Sequence, residues 1–295
     1  MQAIATRPFG RQAAHSTSLV RKRWRAFTRN RLAVFSFFFL VLIHLAALLA
    51  PVLTPYEPHK IAPANALEAP NRQHLLGTDQ VGRDVLTRLL YGGRVSLVVG
   101  VAAVAISIIV GILVGAIGGF FGGWADSIAM RFTDAMLSVP TFFLLLLILT
   151  IFGGSTVTVT LVIGLTSWMT IARVVRGEIL RYGDAEFVLA ARSIGASAWR
   201  ILFLHVLPHT VSAVIVSASL GVANAILTES ALSYLGLGVQ PPTSTWGNML
   251  HESQQFMYNA PLLSVYPGLA IFATVLAYNF FGDGLRDAFD PRLVA

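Results

Sequence analysis

The stretch VSLVVGVAAVAISIIVGILVGAIGGFFGGWA, residues 95–125, contains 31 consecutive residues without a formal charge. About 20 apolar residues are enough to cross the hydrocarbon core of a bilayer, and soluble cores rarely use longer uncharged runs. The stretch therefore predicts a membrane-spanning helix. Glycine recurs in it at every fourth position, at Gly111, Gly115, Gly119 and Gly123. This spacing predicts a smooth strip on which a second helix can approach closely.

Four further uncharged runs, 32–53, 135–172, 201–228 and 253–282, extend this pattern along the chain. The longest has 38 residues and is interrupted by GGST at 153–156, a turn signal, so we interpret it as two helices. The composition agrees, because 12% of the residues are charged, against roughly 25% in a typical soluble domain. The sequence predicts an all-α integral membrane protein with six transmembrane helices.

The basic residues predict the orientation. Eight of the 21 precede the first uncharged run: Arg7, Arg11, Arg21, Lys22, Arg23, Arg25, Arg29 and Arg31. The positive-inside rule places this end in the cytoplasm, where it should also favour anionic lipid. Six crossings place the connection 173–200 and the C-terminus on the same side. That connection carries five arginines, whereas 231–262 contains neither Lys nor Arg. Because so many basic residues flank the spans, we interpret the net charge of +7 as a sign of topology and expect no nucleic acid partner.

The predicted organisation has five parts. They are a basic cytoplasmic tail (1–31), a first transmembrane helix (32–53), an external loop with an amphipathic helix (54–94), a five-helix core (95–282) and a cytoplasmic tail (283–295). The core includes a cytoplasmic loop (173–208) and an external loop (231–262). The first run has 22 uncharged residues, longer than the usual apolar part of a signal peptide, so we expect an uncleaved anchor.

The first external loop departs from the charge rule, because it contains five basic residues. Four acidic residues in the same loop offset them. In the stretch DQVGRDVLTRLLYGG, Asp79 and Asp84 each precede an arginine by four residues, the spacing and order that stabilise a helix. We therefore predict an amphipathic helix that lies along the membrane surface and turns at Gly92 and Gly93.

The cytoplasmic segment EFVLAARSIGASAWRILFLHVLP, residues 186–208, is predicted to form a bent pair of short helices. Asp184 can cap the first helix with its carboxylate. Gly195 can end it, since glycine tolerates the left-handed conformation that follows many helices. Ser197 can cap the second helix, and Pro208 either stops that helix or opens the fifth span.

Such a pair presents small residues beside large ones. Ala190, Ala191 and Gly195 would allow another protein to approach closely, with Phe187 and Trp199 next to them. The segment can therefore be a docking element. An ordinary loop between two spans explains the same residues equally well, so at this point both interpretations stay open.

This segment resembles the cytoplasmic EAA loop of ABC-importer permeases. The pattern of that loop is E-A-A, three residues, G, nine residues and I-x-L-P. The segment has LAARSIG, then nine residues, then HVLP. Leu189 replaces the glutamate of that pattern and His205 the isoleucine. The resemblance implies that an ATPase subunit docks on this loop. The implied coupling residues are Glu186, Ala190, Ala191, Arg192, Gly195, Ala196, Ser197, Leu207 and Pro208. Glu186 lies three positions before Leu189, and the contact of the loop glutamate is not assigned to it.

Three more stretches are similar to the "C"-type permease subunits of dipeptide, oligopeptide and nickel importers. They are HLLGTDQVGRDVLTRLLYGGRVSL (74–97), ALSYLGLGVQPPTSTWGNML (231–250) and YPGLAIFATVLAYNFFGDGLRDAFDPR (266–292). The resemblance implies a type I ABC-importer permease fold in a bacterial inner membrane. It further implies import of di- or oligopeptides by alternating access, with nickel or a nickel chelate as the alternative substrate.

The same resemblance implies partners. They are a second, homologous permease subunit, two ATPase subunits that bind ATP and Mg, and an extracytoplasmic substrate-binding protein. The sequence independently requires the ATPase to be elsewhere, because a phosphate-binding P-loop needs a lysine followed by Ser or Thr. The only lysines, Lys22 and Lys60, are followed by Arg and Ile. We expect no catalytic residue, cofactor or metal ligand in this chain.

Two other classes of function remain as alternatives. An ion-coupled carrier would place ionisable groups within its spans, and the candidates are Asp134, Glu229, His44 and Asp283. A membrane enzyme would need a reactive set of side chains, and His205 with His209 lacks the cysteine or nearby acid that would complete one. Asn224, Glu229 and Asn279 are the polar residues that could face a substrate path, but the sequence does not show which way each helix is turned.

Overall fold

The computed structural model describes residues 21–22 and 24–289, which are almost entirely helical. Most of the predicted N-terminal tail and residues 290–295 of the predicted C-terminal tail lie outside the described residues. The main helices are α1 (Arg31–Leu48), α2 (Val85–Phe121), α3 (Gly123–Ser138), α4 (Thr141–Phe152), α5 (Thr156–Leu165), α6 (Trp168–Tyr182), α7 (Glu186–Ser193), α8 (Ala198–Tyr234), α9 (Trp246–Ser253) and α10 (Leu262–Phe289).

Five of the described segments are long and apolar enough to cross a membrane: α1, α2, α5 with α6, α8 and α10. Helices α3 and α4 form a sixth span if this pair, bent by 80°, is counted as one. The bend lies at Pro140, whose ring disfavours a helical conformation in the residue before it. Val139 is accordingly extended, with φ −84° and ψ 125°. The all-α membrane architecture is confirmed, and this break within the third span is an addition to it.

The predicted turn within the longest uncharged run is confirmed. Gly153 has a φ of +80° directly after α4. Ser155 then caps α5 by accepting a hydrogen bond from the backbone N–H of Thr158 at 3.0 Å. The run therefore divides into two segments, as its length requires.

Helix α2 begins at Val85, ten residues before the predicted span, and continues through Gly92 and Gly93. The prediction of a separate surface helix that turns at these glycines is wrong. The glycines instead make room for the start of α9: a Cβ on Gly93 would lie 2.8 Å from the ring of Trp246. This clearance requires small residues just as a turn does, so the sequence signal is ambiguous.

The glycine strip on α2 is confirmed at three of its four positions. A Cβ on Gly111 would lie 2.7 Å from Cβ of Ile171, and one on Gly115 would lie 2.4 Å from the carbonyl oxygen of Ala172. Gly119 similarly faces the backbone of α6, whereas Gly123 lies beyond the end of α2 with no atom near its Cβ position. Helix α2 therefore packs closely along α6.

Other predicted boundaries also fall inside helices. Helix α10 continues to Phe289, so the predicted tail from residue 283 begins within it. Helix α8 extends to Tyr234, and the predicted external loop 231–262 contains α9. An uncharged run marks only the apolar part of a helix. The helix itself can continue beyond the hydrocarbon core, and its residues there can be charged. In the assembled chain α2 contacts α5, α6 and α8, and α10 contacts α1 and α8.

Candidate functional site

The bent segment between α6 and α8 begins with helix α7, whose start differs from the prediction. Ala185 is the N-cap, with an extended backbone at φ −65° and ψ 148°, and no side chain caps the helix. Asp184 precedes this position and is exposed. The prediction that Asp184 caps α7 is wrong, because the helix begins one residue too late for its carboxylate to occupy the N-cap position.

The end of α7 follows the prediction. Gly195 has a φ of +80°, its N–H bonds to the carbonyl of Arg192 at 3.0 Å, and the N–H of Ala196 bonds to the carbonyl of Ala191 at 3.0 Å. These two bonds form a Schellman motif, which satisfies carbonyls at the helix end and requires a left-handed residue at the glycine position. Gly195 therefore reverses the chain after α7.

The second helix of the pair is continuous with the fifth span. Ser197 caps it as predicted, since its hydroxyl accepts a hydrogen bond from the N–H of Arg200 at 3.4 Å. The turn Ile201–Val206 is a π-helix, and α8 then continues past Pro208 without stopping. A proline removes one helical N–H and its ring crowds the carbonyl four residues earlier. In the wider π turn before Pro208, the N–H of Leu207 bonds to the carbonyl of Leu202, five residues back. The expectation that Pro208 stops the short helix is wrong. The alternative expectation, that Pro208 opens the fifth span, agrees with the structure, because Pro208 lies in the first turn of the regular α-helix that follows the π turn.

The nine predicted coupling residues divide by exposure. Six are exposed: Glu186, Ala190, Arg192, Gly195, Ser197 and Pro208. Ala196 and Leu207 are partly buried. Ala191 is buried, with 6% of its surface exposed, and belongs to the same apolar cluster as Val188 and Ile201. The expectation that Ala191 is presented to a partner is therefore wrong, because it faces the interior of this chain.

The structure adds exposed apolar side chains to the segment. Ile194, at the bend, has 86% of its surface exposed, and Leu189 and Trp199 are about half exposed. Large apolar groups that cluster with charged neighbours on a surface are typical of protein interaction sites. Sequence reasoning missed Ile194, although a large apolar residue directly before a helix-ending glycine is a signal that could have found it. We call the bend surface the exposed residues Glu186, Leu189, Ala190, Arg192, Ile194, Gly195, Ser197 and Trp199.

The bend surface is held rigidly to the spans. Val188 on α7 and Ile201 on α8 are almost completely buried together with Ile179 of α6. Next to them the ring of Tyr182 stacks on His209, with 4.9 Å between the ring centroids. A displacement of α7 would therefore be transmitted to α6 and α8.

Helix α6 is also tied by two ion pairs to α3, the first helix of the bent pair. Arg176 contacts both carboxylate oxygens of Asp126, at 2.5 and 2.7 Å. Arg173 contacts Asp134 at 2.6 Å, and both of these side chains are about half exposed. Asp134, a candidate for ion coupling, thus serves as the partner of an arginine.

A buried ion cluster lies at the other end of α2. Nη1 of Arg88 lies 2.7 Å from Oδ2 of Asp79 and 3.0 Å from Oε2 of Glu252. Arg83 also pairs with both carboxylates, and Gln80 donates a hydrogen bond to Glu252 at 3.0 Å. The cluster joins the segment before α2 to α9. The predicted pairing of Asp79 with Arg83 is present, although not on a helix. The predicted pairing of Asp84 with Arg88 is not formed: Asp84 accepts hydrogen bonds from Thr87, and Arg88 contacts Asp79 and Glu252.

Helix α2 separates the ion cluster from the bend surface. Arg88 lies in its first turn, and near its last residue the ring of Phe121 contacts that of Trp199, 5.1 Å between centroids. The intervening residues span about 50 Å at 1.5 Å per residue, more than the roughly 30 Å of the hydrocarbon core. The two sites therefore lie at opposite ends of a helix that is long enough to cross the membrane.

The charge balance of the ion cluster yields a pH prediction. Burial alone raises the pKa of Glu252, but the charges of Arg88 and Arg83 and hydrogen bonds to the carboxylate lower it below its ordinary value of 4.5. A carboxyl whose pKa is lower in the folded state contributes stability above its unfolded pKa and loses it as the pH falls through the folded pKa. We expect Glu252→Gln to lower the melting temperature at pH 7, with a difference from wild type that shrinks below about pH 4.5. Thermal unfolding of both proteins between pH 7 and pH 3.5 measures this, and an unchanged difference would contradict it.

Two other ionisable groups proposed for ion coupling have partners within the chain. Glu229 is fully buried and accepts hydrogen bonds from Ser96 at 2.9 Å and from Ser233 at 2.8 Å. His44 contacts the hydroxyl of Tyr278 at 3.2 Å, which links α1 to α10. These contacts give both side chains a role in joining helices.

Comparison with known proteins adds to this geometry. Residues 87–295 match the family described as "Binding-protein-dependent transport system inner membrane component". Residues 18–70 match the "N-terminal TM domain of oligopeptide transport permease C". The first match begins in the first turn of α2 and continues through α10, so it includes the bend surface.

Several curated relatives align along most of their length. A protein of Brucella suis biovar 1 (strain 1330), named "Putative peptide permease protein", is 42% identical over 294 residues, which cover 99% of this chain and 97% of the relative. A glutathione transport system permease protein of Pectobacterium atrosepticum is 40% identical over 98% of this chain and 96% of the relative. One of Shigella flexneri serotype 5b is 43% identical over 92% of this chain and 89% of the relative. The first family match spans most of the sequence, and the helical membrane architecture agrees with it. The chain therefore belongs to the family of inner membrane components of binding-protein-dependent transport systems, as a permease subunit of an ABC transporter.

Proposed function

We propose that the chain is the permease subunit of an ATP-driven importer that moves di- or oligopeptides into the cytoplasm by alternating access. The names of the relatives support a peptide-type substrate. The bend surface is the observation that carries the coupling mechanism. Two partner ATPase subunits bind ATP and Mg, a second homologous permease completes the path, and an extracytoplasmic binding protein delivers the peptide.

The bend surface couples ATP to transport through its exposed apolar residues. Ile194 and Leu189 offer apolar area to an ATPase subunit, and Ala190 and Gly195 allow close approach. A nucleotide can shift the balance between inward-open and outward-open forms only through contacts that differ between them. Because α7 is packed against α6 and α8, such contacts act directly on two segments of the membrane domain.

The bend surface faces the cytoplasm in this proposal, as do both ends of the chain. The arginines of α6 and α7 support this orientation, since basic residues accumulate on the cytoplasmic side. The ion cluster then lies outside, where it holds α9 in place for contact with the binding protein.

Transport by the assembled complex tests the proposal. The chain is co-expressed with the companion permease and ATPase subunits, reconstituted in liposomes and supplied with the binding protein. We expect uptake of labelled dipeptides, tripeptides or glutathione that requires both ATP and the binding protein and stops with a non-hydrolysable ATP analogue. Uptake of labelled nickel in place of peptide would establish the alternative substrate. Uptake by the chain alone, driven by an ion gradient, would refute the ATP-driven mechanism.

A further inference from the structure

A cavity of about 420 Å³ lies among α2, α3, α4, α5, α6 and α8. Its volume is within the range of roughly 300–1,000 Å³ that is usual for small-molecule sites. Its lining on α2, Ala103 to Ser107, is close to the middle of that helix, so the cavity lies deep in the membrane domain. Neither the ion cluster nor the bend surface contributes to it.

Polar side chains form one stripe of the cavity wall. Ser217, Asn224 and Thr228 carry the polar groups, and with Gly221, which has no side chain, they follow one another on α8 at intervals of four, three and four residues. Residues at these intervals lie on one face of a helix. Thr170 of α6 and Thr141 at the start of α4 also line the cavity. Polar groups from α4, α6 and α8 therefore line part of a cavity whose wall is otherwise mostly apolar.

Several of these groups have no hydrogen-bond partner within the described part of the chain. They are the amide of Asn224 and the hydroxyls of Ser217, Thr228, Thr170 and Thr141. By contrast, Ser107 donates to the carbonyl of Gly164 at 2.8 Å and Ser167 to that of Ile163 at 2.7 Å. An amide without a partner in hydrocarbon costs several kcal/mol. Asn224 is exposed on this chain. This face of α8 therefore meets a polar environment, namely water, a polar solute or a polar surface of the companion permease subunit, instead of lipid tails.

The wall of the cavity is uncharged. Among the described residues, those that line it include no Asp, Glu, Lys, Arg or His. Along the lining helices, the nearest ionisable residue in sequence is Glu229, which follows the lining residue Thr228 but is fully buried and accepts hydrogen bonds from Ser96 and Ser233. Asp134 and Arg173 each lie three residues from a lining residue, Leu137 and Thr170. These two charges neutralise each other at 2.6 Å. Among the described residues, a solute in the cavity would therefore contact only uncharged side chains.

We infer that this cavity is the chain's part of the solute path and that Asn224 binds the substrate through neutral hydrogen bonds. The inference rests on the proposed function and specifies its substrate chemistry. An amide side chain donates and accepts, and so does each peptide group of a substrate, whatever its side chains are. Peptides with acidic, neutral and basic side chains are thus handled alike by this chain, and selection by charge is left to the other components.

The substitution Asn224→Asp tests the inference, because it introduces a negative charge with little change in shape. For each of three tripeptides of net charge −1, 0 and +1, uptake by the variant complex is divided by uptake by wild type with the same binding protein. This ratio cancels the selectivity of the binding protein. We expect the ratio for the anionic peptide to fall at least about tenfold below that for the cationic peptide, since charges interact strongly outside bulk water. Asn279→Asp is the matched control: Asn279 donates to the carbonyl of Val275 on α10, outside the cavity, and should give equal ratios.

If the Asn224→Asp variant does not assemble into a complex, a labelling experiment tests the inference instead. The chain has no cysteine, so a single cysteine can be placed at either of two neighbouring positions in the complex. We expect a hydrophilic maleimide to label Asn224→Cys and to leave Ala223→Cys, which is 1% exposed, unlabelled. Equal ratios for all three peptides with Asn224→Asp, or an unreactive Asn224→Cys, would overturn the inference while peptide transport by wild type stands. If wild type transports nickel and no peptide, the proposed function fails instead.

Discussion

Replacing Arg88 with methionine is expected to destabilise the protein by about 3–5 kcal/mol, the usual cost of removing one partner from a buried ion pair. Arg88 is 3% exposed and contacts Asp79 at 2.7 Å and Glu252 at 3.0 Å. Methionine fills a similar space, so the loss comes from carboxylates left in a poorly solvated place with only Arg83 to compensate them. We expect the melting temperature of the purified complex to fall by roughly 10 °C.

The control for this prediction is Arg173→Met. It removes the same charge from an ion pair whose two side chains are about half exposed. Solvent-exposed pairs contribute at most about 1 kcal/mol, so little change in melting temperature is expected. Arg88→Lys should lie between the two, because lysine keeps the charge but cannot contact two carboxylates with a planar group. Equal shifts for Arg88→Met and Arg173→Met would show that the buried cluster is not a special source of stability.

The cluster also shows where sequence reasoning reaches its limit. Local spacing correctly indicated that Asp79 pairs with Arg83, four residues away. It assigned Arg88 to the wrong acid, because Glu252 is 164 residues distant and approaches only when α9 folds against α2. Asp84 is instead used as the helix cap, since it accepts from the N–H of Thr87. A pair across that distance leaves no trace in local spacing.

The membrane architecture could be predicted because the hydrophobic effect acts on long segments. The uncharged runs locate the spans whatever their neighbours are. Breaks and close approaches are harder, because the same residue type serves both: Gly93 gives clearance to Trp246, while Gly153 makes a turn. Pro140 bends the third span, and only its effect on the preceding residue would have indicated this from the sequence.

In the bend surface, the features determined by local backbone geometry were predictable and those determined by packing were not. Gly195 and Ser197 cap helices through residues within five positions of themselves. The rotation of α7 about its axis is set by contact of Val188 with Ile201 and its neighbours. That rotation buries Ala191 and exposes Ile194. The size and polarity of the two residues do not indicate which one is buried.

Replacing Gly195 with valine is expected to lower substrate-stimulated ATP hydrolysis by the reconstituted complex at least about tenfold. Gly195 has a φ of +80°, and a residue with a Cβ adopts the left-handed conformation only at a cost of roughly 1–2 kcal/mol, with β-branched residues among the least tolerant. The cost falls on the Schellman motif that positions Ile194 and Ser197. Since about 1.4 kcal/mol corresponds to a factor of ten in an equilibrium constant, strain of this size is enough to disfavour the docked form of the bend.

Gly195→Asn separates backbone strain from the mere presence of a side chain. Asparagine accepts left-handed conformations more readily than other residues with a Cβ. Among the residues that the structure describes, and apart from the two chain neighbours, no atom lies within 4 Å of the Cβ position of Gly195. If the backbone conformation matters most, Gly195→Asn keeps most of the stimulation that Gly195→Val loses, and both variants still insert and co-purify with the companion permease. If both variants lose stimulation equally, a partner surface must lie so close to Gly195 that any side chain excludes it. Undiminished stimulation in Gly195→Val would show that coupling does not depend on the bend, because no other backbone conformation at this position preserves the Schellman bonds.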